Sequence, residues 1–467
     1  MDPLTTPVKI GLLPTGHKMY WGQYPGLKDM GMAMYNKLFD KLSGFGRVVS
    51  PGLADTDESA ALAAGLFVKE QIDILIIFPF GYTTGMMIVP AIQAVSAPIL
   101  LLNAHEDASY NYKNADTATY LHHEGACCIP EYAGTLVLHK KRFHVLSGHF
   151  GQPTFWEDIK RRCDGAAAAT VFAAGRYGVI GGTYTGMVDM PVDDHRILLA
   201  TGRLPLRPEV EEIEEAVKRV SAVRMKAMLD EFRASYDVDG SVTDAHMEVS
   251  AKIAAAFDEV IGKYGINAFG FYWWGEKPYM TELRAQAALG VSRLTAMGIP
   301  GVTEGDIKAA MAMRILNLLG GGGMFCEFFS ADYEEEFLLM GHDGPSNVMM
   351  ADGKPKLTQL TTHHGKTGEG LGIDFNMRPG VCTLLNLTQF GTDKVFKLIY
   401  TIGEVVGGDI LNIGNPNCRV KINKPIPEFI NAWCQQGPGH HTAMGKGDFS
   451  VEIETFAQKM DFECVRV

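Results

Sequence analysis

Residues 74–104 contain no Asp, Glu, Lys or Arg, and this stretch limits the folds open to the chain more than any other feature. An uncharged run of this length suits either a membrane-spanning helix or the interior of a core. Pro79, Gly81, Pro90 and Pro98 divide the run into pieces of strand or helix length. We therefore predict two buried strands around a buried helix, and no membrane partner.

Short apolar runs alternate with helix-like segments through the first third of the chain. The runs Val8–Leu13, Ile72–Phe80, Ile99–Asn103 and Phe143–Ser147 are typical of buried strands. Strand–helix alternation of this kind predicts a doubly wound parallel sheet, because parallel strands need helical crossovers that cover both faces. Ligands of such sheets bind beyond the carboxyl ends of the strands.

The alternation of strands and helices starts again near residue 165. After about residue 320 the sequence changes to short apolar runs separated by turn residues. The central part contains the predicted strands Tyr177–Ile180 and Ala268–Trp273, and long charged helical patterns over Arg207–Tyr236 and Thr243–Lys263. The last part contains apolar runs joined by Gly, Asn and Pro turns, which are typical of an antiparallel or barrel-like domain; they are Leu357–Thr362, Val381–Leu387, Val395–Ile402 and Arg419–Ile422.

These patterns predict an α/β protein with two doubly wound α/β domains followed by a β-rich, barrel-like C-terminal domain. The predicted boundaries are 1–165, 166–323 and 324–467. A chain of 467 residues is too long for one ordinary core, which agrees with such a division.

Charge and cysteine usage narrow the class of protein. The formal net charge is −12 and no long Lys/Arg block occurs, so we expect no nucleic-acid partner. The eight cysteines contain no C-x-x-C motif, which argues against a zinc knuckle and favours a reducing, cytoplasmic compartment. The N-terminus, Met1-Asp2-Pro3, lacks the features of a signal peptide.

Two carboxylates occupy unusual sequence contexts. In Thr303-Glu304-Gly305-Asp306, Thr303 is predicted to cap the following helix with Asp306 at its third position, which puts Glu304 at the first helical position. Glu327 lies inside the apolar run Met324–Phe329. A carboxylate in such a run must be paired, protonated or bound to a metal if it is buried.

Histidines add a second type of ligand. His342 follows an apolar segment, and His440-His441 lie on a Gly/Pro-rich turn. His363-His364 form a competing pair, and the spacing does not choose between the two pairs. Two carboxylates with two imidazoles and no thiolate form a donor set that suits Mn²⁺, Co²⁺ or Mg²⁺ better than structural zinc.

With these motifs the chain resembles the L-fucose isomerase/L-arabinose isomerase family. Weaker similarity covers residues 15–22 and 146–149, and Lys18 stands where relatives carry Arg or Gln. The residues that carry the resemblance are Thr303-Glu304-Gly305-Asp306, Phe325-Cys326-Glu327, Gly341-His342 and Gly439-His440-His441-Thr442.

The resemblance implies roles for residues at matching positions. Glu304, Glu327, His342 and His441 match the ligands of an Mn²⁺ ion, and Glu304 and Glu327 also match the carboxylates that shuttle the proton. The substrate-binding residues it implies are Lys18, His123, Trp274 and His440. It also implies a homo-oligomer, a trimer or hexamer, in which residues 1–22 and 103–130 complete a neighbour's site.

We therefore expect a metal-dependent aldose–ketose isomerase that acts on an open-chain sugar through an enediol intermediate. A divalent ion can chelate the C1 carbonyl and the C2 hydroxyl of such a sugar, and the carboxylates then move the proton. One alternative is a non-catalytic sugar-binding protein on the same scaffold. Another is a metal-dependent sugar epimerase or lyase that uses the same intermediate.

Overall fold

The computed structural model describes residues 7–273, 283, 286–360 and 370–467. The strands among these residues are β1 (Lys9–Thr15), β2 (Arg47–Val49), β3 (Ile74–Pro79), β4 (Ile99–His105), β5 (Phe143–His149), β6 (Tyr177–Gly181), β7 (Asp237–Val238), β8 (Ala268–Tyr272), β9 (Gly301–Val302), β10 (Met324–Asp332), β11 (Phe337–Gly341), β12 (Lys356–Gln359), β13 (Leu371–Asp374), β14 (Gly380–Thr388), β15 (Lys397–Val406), β16 (Asn417–Ile422), β17 (His441–Lys446) and β18 (Glu463–Arg466).

The α-helices among the same residues are α1 (Lys18–Gln23), α2 (Leu27–Ser43), α3 (Asp57–Glu70), α4 (Val89–Ala94), α5 (Thr117–His122), α6 (Gly125–Leu138), α7 (Pro153–Ala173), α8 (Asp194–Thr201), α9 (Val210–Arg219), α10 (Ala222–Ser235), α11 (Asp244–Tyr264), α12 (Ala288–Ala296), α13 (Ile307–Leu318), α14 (Ile426–Cys434) and α15 (Ser450–Met460). In the part of the chain that is described, no helix is both long and apolar enough to cross a bilayer.

The chain divides into two compact units. Of the described residues, the N-terminal unit contains 7–170 together with Val451–Asp461, and the main unit contains Val171–Ser450 with Phe462–Val467. The three-domain boundaries at residues 165 and 323 remain a prediction.

The N-terminal unit contains a parallel sheet with strand order β2-β1-β3-β4-β5. Alternate residues of the central strands face opposite sides: Ile76 packs in the same core as Leu38 of α2, whereas Leu75 packs in the same core as Phe67 of α3. The uncharged stretch 74–104 supplies β3, α4 and β4. The predicted doubly wound sheet is therefore confirmed, because strands covered by helices on both faces tolerate few charges.

The main unit begins with a three-stranded parallel sheet of order β6-β8-β9. The apolar residues Phe269 and Phe271 of β8 share a core with residues of α9, α11 and α12, and α13 contacts all three strands. The predicted long helix Arg207–Tyr236 is wrong in one respect. The segment forms two helices, α9 and α10, because Ser221 caps α10 by accepting the backbone N–H of Arg224.

Six antiparallel strands close into a barrel in the C-terminal part of the main unit. The order is β14-β17-β10-β11-β16-β15, and β15 pairs back with β14; β18 adds to β15 in parallel. The predicted barrel-like C-terminal domain is confirmed. The predicted strand at Leu357 becomes β12, which pairs with β13 and β7 in a separate small sheet.

Candidate metal centre

The turn before α13 differs from the predicted helix start. Helix α13 begins at Ile307 rather than at Glu304, and its N-cap is Asp306, whose Oδ1 accepts the backbone N–H groups of Lys308 (3.1 Å) and Ala309 (3.3 Å). The prediction that Thr303 is the N-cap is therefore wrong. Glu304 instead lies outside the helix, in the left-handed region at φ 64°.

A close backbone approach explains the shape of this turn. Gly305 also has positive φ, at 79°, and a Cβ at that position would lie 2.0 Å from the carbonyl oxygen of Gly182. A backbone hydrogen bond also stabilises the turn: the N–H of Tyr184 donates to the carbonyl oxygen of Glu304 at 3.0 Å. Only glycine fits between these two segments, and the strained backbone of Glu304 is held from both sides.

Glu304 is largely buried, and one of its carboxylate oxygens is unsatisfied. The Oε2 atom has no hydrogen-bond partner among the described residues and lies 3.5 Å from Nε2 of His441. Burial raises the pKa of Glu304, but the neighbouring imidazoles, chiefly those of His441 and His342, outweigh it and hold that pKa below its usual range. The carboxylate is therefore ionised, and it can bind a cation.

Neighbouring barrel strands carry the other three candidate ligands. Glu327 on β10 lies directly opposite His441 on β17 and opposite Gly341 on β11. His342 follows Gly341, so three adjacent strands present these side chains at one end of the register. One ligand atom from each of Glu327, His342 and His441 lies within 4.8 Å of the other two.

His441 is held by a buried ion network. Its Nδ1 lies 3.0 Å from Oδ2 of Asp306, and the other oxygen of Asp306 lies 3.2 Å from Nζ of Lys308, a lysine that is only 1% exposed. Burial raises the pKa of Asp306, but Lys308 and then His441 outweigh it and hold that pKa well below its usual range. A carboxylate that orients a histidine in this way is common behind metal ligands.

The hydrogen bond at Nδ1 leaves Nε2 of His441 available. This Nε2 is buried and has no hydrogen-bond partner among the described residues. Burial lowers the pKa of His441, but the Asp306 and Glu304 carboxylates outweigh it and raise that pKa to about 9. A cation would satisfy both this nitrogen and the Glu304 oxygen, because both lack a partner and face each other.

His342 is oriented by its own backbone. Its Nδ1 lies 2.8 Å from the carbonyl oxygen of Asp343; because a carbonyl only accepts, Nδ1 carries a proton, and Nε2 is the ring nitrogen left for a ligand. The ring of Phe325 packs against both imidazoles, with centroids 4.1 Å from His342 and 4.4 Å from His441. Each ligand ring is thus fixed by a hydrogen bond and by packing.

Two overlapping groups of donors are compatible with a divalent ion. One consists of Glu327, His342 and His441, and the other consists of Glu304, His440 and His441. The donors are carboxylate oxygens and imidazole nitrogens, which suit a borderline or hard divalent cation. The four predicted metal ligands therefore all fall within these two groups.

The turn that carries the two histidines is fixed by one asparagine. The side-chain amide of Asn386 donates to the carbonyl oxygens of Gly439 (2.9 Å) and His441 (2.6 Å), and its Oδ1 accepts the N–H of Gly439. His440 is half-exposed, and its ring centroid lies 3.9 Å from that of His441. Its Nδ1 contacts the carboxylate of Asp189 at 2.6 Å.

Two of the remaining predicted substrate residues belong to the N-terminal unit, and one lies outside the described residues. Lys18 begins α1 and His123 follows α5, so both belong to the N-terminal unit. The ring of His123 lies 4.5 Å from that of Tyr110, and its Nδ1 lies 2.9 Å from the carbonyl oxygen of Thr119. Trp274 and the competing pair His363-His364 lie outside the described residues. The substrate roles of Lys18, His123, Trp274 and His440 stay predictions.

Sequence reasoning missed the residues that support the ligands. Lys308 had a usable signal, since it is one of only two charged residues, with Arg314, in the otherwise mostly apolar helix α13. Asp306 was assigned only a capping role, although it also orients His441. Asp189 and Asn386 had no local signal, because each acts on a turn about 251 or 53 residues away.

Comparison with known proteins agrees with this geometry. The family of the L-arabinose isomerase C-terminal domain matches residues 322–463. The L-arabinose isomerase of Oceanobacillus iheyensis is 22% identical over 85% of both chains, and L-arabinose isomerase 2 of Bacillus licheniformis is 21% identical over 88% of both. The match to the L-arabinose isomerase of Shouchella clausii, at 24% identity, spans 54% of this chain and about half of that relative, 52%. Together with the barrel that carries the candidate ligands, these matches support the similarity of this chain to the L-fucose isomerase/L-arabinose isomerase family.

Proposed function

We propose that this protein is a divalent-metal-dependent aldose–ketose isomerase that converts an open-chain sugar through an enediol intermediate. The observation that supports the proposal is a pair of donor groups that share His441, one with Glu327 and His342 and the other with Glu304 and His440. Two buried donor atoms in these groups, Oε2 of Glu304 and Nε2 of His441, lack hydrogen-bond partners in the described chain. The relatives are named L-arabinose isomerases, which supports the same class of reaction.

The four side chains would hold the ion, with Mn²⁺ as the proposed metal. When bound, the ion would polarise the C1 carbonyl and stabilise negative charge on the adjacent sugar oxygens. The carboxylate of Asp306 would hold the His441 ring, and the backbone carbonyl oxygen of Asp343 would hold the His342 ring. Each contact is made at Nδ1 and would leave Nε2 for the ion.

Glu304 and Glu327 are the proposed acid–base pair. One carboxylate takes the proton from C2 of the aldose, the proton of the C2 hydroxyl passes to the C1 oxygen, and a proton is delivered to C1, which forms the ketose by way of the enediol. The low pKa of Glu304 keeps it ionised near neutral pH, as a base requires.

The decisive experiment is an aldose and ketose panel assayed after removal of metal with EDTA. We expect no turnover in the metal-free protein and recovery of ketose formation on addition of Mn²⁺. Product analysis by NMR in D₂O should show solvent deuterium at C1 of the ketose. Sugar binding without turnover would indicate a non-catalytic binding protein, and an epimer or a cleaved product would indicate the epimerase or lyase; either result rejects the proposal.

We also propose a cytoplasmic homo-oligomer, a trimer or hexamer, in which residues 1–22 and 103–130 complete a neighbour's site. The buried cysteines Cys128, Cys163, Cys326, Cys382 and Cys418 are free thiols, which supports a reducing compartment. Light scattering coupled to size exclusion tests the assembly, and a monomer that is fully active would reject the shared site.

A further inference from the structure

Asp189 makes two hydrogen bonds to one histidine beside the candidate metal centre. Its Oδ2 accepts the backbone N–H of His440 at 2.8 Å and lies 2.6 Å from the ring Nδ1 of the same residue. Asp189 lies between β6 and α8, far from His440 in the sequence. A single carboxylate oxygen therefore fixes both the backbone and the ring of His440.

These contacts decide which ring nitrogen is free. An ionised carboxylate only accepts hydrogen bonds, so the Nδ1 of His440 that faces Asp189 carries a proton. Burial raises the pKa of Asp189, but its hydrogen bonds to His440 outweigh this effect and lower it, which agrees with an ionised carboxylate. The Nε2 atom is the remaining polar atom of a ring that is 36% exposed.

The position of the His440 ring makes this residue relevant to a bound sugar. A ring nitrogen of His440 lies within 4.8 Å of ligand atoms of Glu304 and His441. His441 has its own orienting carboxylate, Asp306, so Asp189 is not needed to orient the buried histidine. The two neighbouring histidines are therefore held by two different carboxylates.

The segment that contains Asp189 also contacts, through its backbone, the buried ion network of Asp306 and Lys308. The carbonyl oxygen of Met190, the residue after Asp189, accepts a hydrogen bond from Nζ of Lys308, which pairs with Asp306. A segment anchored in this way cannot move freely, and its carboxylate offers His440 a fixed acceptor rather than a mobile surface charge.

We infer that Asp189 is a positioning residue for sugar recognition: it holds the His440 ring with Nδ1 occupied, so that Nε2 accepts a hydrogen bond from a hydroxyl group of the sugar at the metal centre. The inference rests on the proposed function and assigns a specificity role to a residue that does not touch the substrate. A neutral polyol chain with a hydroxyl donor is the ligand that such an acceptor recognises.

The test compares Asp189→Asn with a matched control. Asp193 makes the same pair of contacts to His195, through Oδ1 to the backbone N (2.9 Å) and to Nδ1 (3.0 Å), but both side chains are exposed at the start of α8. We expect Asp189→Asn to raise the KM for the best aldose of the panel about tenfold, with a smaller change in kcat, because uniform binding is lost. Asp193→Asn should leave both constants unchanged.

Three further measurements separate positioning from a merely structural role. The Mn²⁺ affinity of Asp189→Asn, measured by calorimetry, should stay within about twofold of the wild type, since Asp306 still orients His441. Asp189→Asn should add nothing in a His440→Gln background, because the two residues act as one unit. Asp189→Glu, which keeps the carboxylate, should have a KM between that of Asp189→Asn and that of the wild type. A wild-type KM in Asp189→Asn, or additive effects in the double variant, would overturn the inference.

The protonation of the His440 ring nitrogens can be measured by NMR without any turnover of a sugar. In ¹⁵N-histidine-labelled, metal-free protein, the ring signals absent from His440→Gln identify His440. We expect a single Nδ1–H tautomer in the wild type and a mixture in Asp189→Asn, whereas unchanged ring signals would overturn the positioning role. If the wild type is inactive on every sugar, the proposed function fails, and the tautomer result still decides whether Asp189 positions His440.

Discussion

The Nδ1 atom of His441 lies 3.0 Å from Oδ2 of Asp306, and this contact determines which nitrogen of the imidazole is left for a ligand. Asp306 also caps α13 by accepting two backbone N–H groups. One carboxylate therefore starts the helix and orients the histidine. The geometry of the candidate centre consequently depends on the helix start as well as on the barrel strands.

Replacing either candidate acid–base residue should remove activity while the fold is kept. Glu304→Gln and Glu327→Gln should each lower kcat by roughly 10²- to 10⁴-fold at saturating Mn²⁺, because a positioned proton donor or acceptor contributes about that much. Glu334→Gln, in the exposed turn after β10, is the control and should behave as wild type. Activity retained in either variant would remove that carboxylate from the mechanism.

Removing the charge of Asp306 should weaken metal binding. Asp306→Asn keeps a good helix cap but loses the carboxylate behind His441, so we expect the Mn²⁺ affinity to fall about 10- to 100-fold in calorimetric titrations. Lys308 would be left buried without its partner, and the double variant Asp306→Asn/Lys308→Met removes that unpaired charge. If the affinity returned in the double variant, the loss would come from the lysine and not from the orientation of His441.

The metal-free protein should lose stability as the pH rises above neutrality. The pKa of His441 is raised from 6.5 to about 9, so its protonated form stabilises the folded state. That contribution is complete below about pH 6.5, the pKa in the unfolded chain, and is lost as the pH rises through about 9. In urea unfolding with EDTA, the stability difference between wild type and His441→Gln should shrink over this interval. A difference independent of pH would contradict the prediction.

The contact between Gly305 and Gly182 should be sensitive to a single methyl group. Gly305→Ala combines a left-handed backbone with a clash at 2.0 Å and should lower the free energy of unfolding by roughly 3 kcal/mol or more. Gly320→Ala has a similar positive φ of 90° and no atom near the added Cβ, so it should cost only about 1–2 kcal/mol. Equal costs in urea unfolding would show that the clash is relieved without strain.

Sequence patterns were sufficient for the parts of the fold that depend on local composition. The uncharged stretch around Ile76 and Leu100 could only form buried strands, and it does so in β3 and β4. The Gly-bounded apolar run that contains Leu385 likewise forms a barrel strand, β14. In each case the signal is the length and the apolarity of one segment.

Features that depend on contacts between distant segments could not be predicted from the pattern. Glu327 and His441 are strand neighbours across 114 residues of sequence, and the spacing gave no reason to prefer them over other carboxylates and histidines; the family resemblance supplied that choice. The helix start was misplaced because the packing of Gly305 on Gly182 is not visible in either segment alone. Lys308 can be buried because its Nζ contacts the carboxylate of Asp306 and the backbone carbonyl oxygen of Met190.

The closed barrel has a consequence for how an ion would arrive. Strand pairing fixes Glu327, His441 and the residue before His342 in mutual register, so these donors are in place as soon as the six strands meet. Little conformational entropy then remains to be lost on binding, and exchange of the ion should be governed by loss of the His441 proton rather than by rearrangement of the chain.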